Sequence, residues 1–108
     1  MAGTDDEQAA YFALLRAREG LTNLQRFEEY ITAERTRIDA FISAGQSLDE
    51  AVDHRLRRTL RHTDDALNEA LELRRRVLAD EKHRLPQKME AAQEHIDACD
   101  AAHTALRA

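Results

Sequence analysis

The chain has no tryptophan, a single cysteine, a single proline and only three glycines in 108 residues. A lone cysteine, Cys99, excludes an intrachain disulfide and fits a reducing compartment. So few turn residues leave little punctuation for short strands, and no stretch alternates apolar and polar residues with a period of two. No apolar run approaches the length needed to span a membrane. The opening "MAGTDDEQ" is acidic and lacks an apolar core, so no secretory signal is expected. A cytoplasmic protein with no membrane partner is the expectation. No glycine-rich phosphate loop occurs.

What is present is helix-forming. Ala, Leu, Glu and Arg dominate, charged residues reach 34%, and aromatics only 5%. This is the composition of long helices and coiled coils in a single small domain. The net charge of −5 disfavours polyanions as partners.

Apolar residues recur at spacings of three and four. Thr4 and Glu7 form a capping-box start. A stripe follows through Tyr11, Leu14, Leu15, Leu21, Leu24, Phe27, Ile31, Ile38, Phe41 and Ile42. Ala17, Leu24, Ile31 and Ile38 stand seven apart. Gly20 is the weak point: the helix either runs through it or ends near Glu19 and restarts at Thr22. The unbroken heptad phase favours continuity. "SAGQSLDE" is the strongest punctuation. Gly45 suits a left-handed C-terminal cap, and Ser47 with Glu50 a new capping box, predicting a tight antiparallel hairpin.

In the second helix Leu56, Leu60, Leu67, Leu71 and Leu78 step by 4, 7, 4 and 7, an eleven-residue repeat. Val52, Ala66, Ala70 and Val77 widen this stripe. Pro86 suits the first position of a third helix, although Leu85 is a poor cap and a kinked continuation is the alternative. Beyond it, Leu85, Ala92, Cys99 and Leu106 stand seven apart, as do Met89, Ile96 and His103. The expected fold is therefore all-α: an elongated antiparallel hairpin, residues 5–44 and 47–83, plus a shorter third helix, 86–106, in a coiled-coil-like bundle. Helices of nearly forty residues reach about 60 Å. The third covers only part of that length, so the remaining apolar stripe requires a protein partner or a second copy.

"HRLRRTLRH" (54–62) carries four arginines and two histidines, and "LRRRVLAD" repeats the theme. On a helix, Leu56 and Leu60 face the core while His54, Arg57, Arg58 and Arg61 fan outward. With Arg74, Arg75 and Arg76 they form a candidate nucleic-acid face. Acidic neighbours counter it: Asp53 stands one turn before Arg57, and Asp65 one turn after Arg61. Residues 47–84 hold nine basic and nine acidic side chains, and no aromatics are interleaved to stack bases. A solvated, salt-bridged face is the stronger reading.

His95, Cys99 and His103 form an i, i+4, i+8 ladder with mixed nitrogen and sulfur ligands suited to zinc. The ladder supplies no fourth ligand, and Cys99 and His103 also fall on the seam. Pairing Cys99 with either histidine is the one nucleophile arrangement, and it lies mid-helix on a face expected to pack. Asp80 to His83 has the carboxylate–histidine spacing of a di-iron helix but lies at a helix end. No catalytic residues and no cofactor are implied.

The stretches "LQRFEEYITAERTRIDAFI" (24–42) and "LNEALELRRRVLADEKHRL" (67–85) resemble flagellar export chaperones of the FliT and FlgN type. The likeness covers about a third of the chain and rests on Leu, Glu and Arg patterning over long helices. It implies a chaperone or adaptor that shields a client's amphipathic segment before secretion. The sequence thus points to a non-catalytic module that binds a helix in a groove, with Leu24, Phe27, Ile31, Phe41, Leu60 and Leu67 as candidate partner or dimer residues.

Overall fold

The computed structural model describes the backbone of residues 2–51 and 54–108, and the side chains of residues 4–45, 55, 56, 58, 60 and 64–108. Two helices account for that backbone: α1 (Ala2–Ala51) and α2 (His54–Arg107). No strand occurs among the described residues. The protein is all-α, as the three- and four-residue spacing requires.

Two expected breaks do not occur. Gly45 lies inside α1 and has no positive φ, so it caps nothing. A helical glycine costs only about 1 kcal/mol relative to alanine, and the Ala, Leu and Glu around it keep the helix going to Ala51. The side chains of Ser47 and Glu50, the expected capping box, lie outside the described residues, as do residues 52 and 53 between the helices. The expected third helix does not form separately either. Pro86 sits within α2, which spans 54 residues. A proline removes one intrahelical bond and crowds the carbonyl one turn earlier. Both Pro86 and Lys82 face solvent, where water can serve that carbonyl, while neighbouring Leu85 is only 1% exposed. Burial of that leucine holds the chain helical through the proline.

Gly20 leaves α1 unbroken. Thr22, the candidate cap of a restarted helix, instead donates its Oγ1 to the Arg18 carbonyl at 3.1 Å. This is the back-bond of a hydroxyl inside a helix. Thr4 likewise lies within the first turns, because α1 begins at Ala2.

The helices pair in two compact units, one formed by Met1–Glu28 with Arg84–Ala108 and the other by Glu29–His83. In the first unit Leu14, Ala17 and Leu85 are buried. Leu21, Leu24 and Phe27 of α1, and Met89, Ala92, Ile96, Cys99 and His103 of α2, are half-buried around them. Apart from Leu106, which is exposed, the two interleaved sets of sevens read after Pro86 form the packed stripe of α2 in this unit. Pairing is antiparallel. The Tyr11 ring lies against that of His103, centroids 5.6 Å apart, while Glu7 and Arg107 flank one groove further towards the chain ends.

Among the described residues of the second unit the buried apolar side chains are Ile31, Ile38 and Leu78, with Ile31 completely enclosed. Leu71 and Ile42 are half-buried beside them, but so are Arg35 and Arg75. Charged residues therefore occupy part of the seam, and Arg75 reaches Asp39 at 3.3 Å and Glu72 at 2.8 Å.

Candidate functional site

The second unit has two unlike sides, which follow from the heptad register. Placing Ile31 and Ile38 of α1 and Leu71 and Leu78 of α2 at core position d puts Glu34 and Arg74 at position g. Facing antiparallel helices bring g against g and e against e along opposite flanks of the seam. Arg74 Nε indeed donates to Glu34 Oε1 at 2.9 Å, across the two helices.

On that flank, the g and neighbouring c positions carry Tyr30 and Phe41 from α1 and Leu56, Leu60, Leu67, Ala70 and Val77 from α2. All are exposed; Phe41 keeps 55% of its surface in solvent and Leu67 42%. The e and b positions of the other flank carry Glu29, Thr32, Thr36, Asp39 and Ser43 from α1. From α2 they carry Arg58, Asp65, Glu69, Glu72 and Arg76. The first flank also carries Glu34, Arg37, Arg74 and Glu81, so it mixes apolar and charged side chains, whereas the described residues of the other flank are almost wholly polar. Single exposed leucines are ordinary on protein surfaces; here several fall on one flank.

The geometry also explains why Leu56 and Leu60 do not face the core, as expected from the leucine spacing. Leu71 and Leu78 lie on the seam. An eleven-residue repeat advances 3.67 residues per turn against the 3.5 of the heptad seam. Followed back from Leu71, the leucines therefore drift off the seam, first to g at Leu67 and Leu60, then to c at Leu56.

The six expected interface residues divide. Phe41, Leu60 and Leu67 are exposed on the mixed flank of the second unit, whereas Ile31 is fully enclosed and forms its core. Leu24 and Phe27 belong to the first unit and are half-buried there. Tyr30, Leu56 and Val77 also lie on the mixed flank and are not among those six. The signal that finds them is the c and g register, which becomes readable only once the seam is known.

The arginines of the alternative nucleic-acid face are distributed differently. The side chains of Arg57 and Arg61 lie outside the described residues, and Arg58 and Arg76 are exposed. Arg74 binds Glu34 and donates from Nη2 to the Tyr30 hydroxyl at 3.0 Å. Arg75 is held by Asp39 and Glu72. Two of the three arginines at 74–76 thus have their guanidinium groups directed at carboxylates of the chain itself.

In the first unit, Cys99 Sγ lies 3.9 Å from His95 Nε2 and 4.0 Å from Nδ1, while the His103 ring packs against Tyr11 at a tilt of 47°. Among the described residues no three His, Cys, Asp or Glu side chains converge as metal ligands. A shallow open groove lies beside Tyr11, Phe12, His103 and Arg107. No described helix is long and apolar enough to cross a membrane. Comparison with protein-family models, curated proteins and solved structures returned no match.

Proposed function

We propose that the chain is a non-catalytic protein-interaction module whose mixed apolar and charged flank in the second unit receives a helix. The observation that carries this reading is the contrast between the two flanks of one hairpin. Tyr30, Phe41, Leu56, Leu60, Leu67 and Val77 stand on one side, around the Glu34–Arg74 pair with Arg37 and Glu81, while the described residues of the other side are hydroxyls and charges with almost no apolar surface. A helix laid along the g and c positions would bury those side chains by helix-in-groove recognition, with anchors spaced three, four and seven apart. The likeness to flagellar export chaperones supplies the kind of role: an adaptor or chaperone shielding an amphipathic segment of another protein. The arginine face gains no support, since Arg74 and Arg75 are already partnered within the chain.

The test compares capture of partners by the unmodified chain and by Leu67→Asp from nuclease-treated lysate of the source cell. Leu67 is exposed, so the substitution leaves the buried core intact. The expected result is a set of helical partners held by the unmodified chain and lost from the variant, with helicity by circular dichroism unchanged. Identical capture by both proteins excludes this flank as the binding surface.

A further inference from the structure

We draw no further inference here: the strongest candidate, the flank of the second unit that carries Leu60, Leu67 and Val77 around the Glu34–Arg74 pair, belongs to the surface already described, and nothing in the structure shows what covers it.

Discussion

Arg74 and Glu34, forty residues apart in sequence, are joined at 2.9 Å across the flank of the second unit. The Glu34 side chain is only 17% exposed, and its other oxygen accepts from Arg37 Nε at 3.2 Å. Arg74 also donates to the Tyr30 hydroxyl. This cluster aligns α1 and α2 in one register, because a slip of either helix by one turn separates Glu34 from Arg74.

Arg74→Met should therefore cost about 1 kcal/mol, within the range for a hydrogen bond to a charged group that is partly exposed. A double-mutant cycle with Glu34→Gln, read by urea denaturation, should show the two effects to be non-additive. Strict additivity would mean that the pair contributes no coupling.

Leu85→Ala should destabilise strongly. Leu85 is almost fully enclosed, and such truncations cost about 2–5 kcal/mol. That is a large share of the stability of any small domain. A thermal melt should shift well below that of the unmodified chain. A change of under 1 kcal/mol would show that the helices do not pack at this position.

Pro86→Ala should stabilise. Replacing a proline inside the continuous helix α2 restores a donor and relieves the crowding at Lys82, with a gain of about 1–3 kcal/mol. A loss of stability would instead indicate a chain that needs the break between two helices.

Gly20→Ala and Gly45→Ala should each stabilise by about 1 kcal/mol. An added Cβ meets nothing within 4 Å at either position, and neither glycine has a positive φ. Destabilisation by Gly45→Ala would restore the turn that the sequence pattern suggests there.

Several of these tests fall where local signals and tertiary packing disagree. Gly45 with its flanking Ser47 and Glu50, and Pro86 after Lys82, His83 and Arg84, have the composition of helix ends. At Gly20 the helix continues, because the sevens through Ala17, Leu24, Ile31 and Ile38 cross it in phase. At Pro86 the two stripes on either side are also continuous, since Leu71, Leu78, Leu85, Ala92 and Cys99 form one series of sevens. That series runs straight through the proline, and Leu78 and Leu85 are both buried.

The amino-acid pattern alone determined that the chain is helical, where the packed stripe of the first unit lies and that α1 passes Gly20 unbroken. These depend on periodicity, which repeats over many residues and outweighs any single one. Only the tertiary structure decided that Pro86 and Gly45 sit inside helices, that Ile31 is core, and that Leu56, Leu60 and Leu67 stand outside the seam. The energies explain the division. A local break signal is worth about 1–3 kcal/mol, comparable to burying one neighbouring leucine. Which of the two prevails, and which flank a drifting stripe reaches, depends on the side chains that the opposite helix brings to the seam.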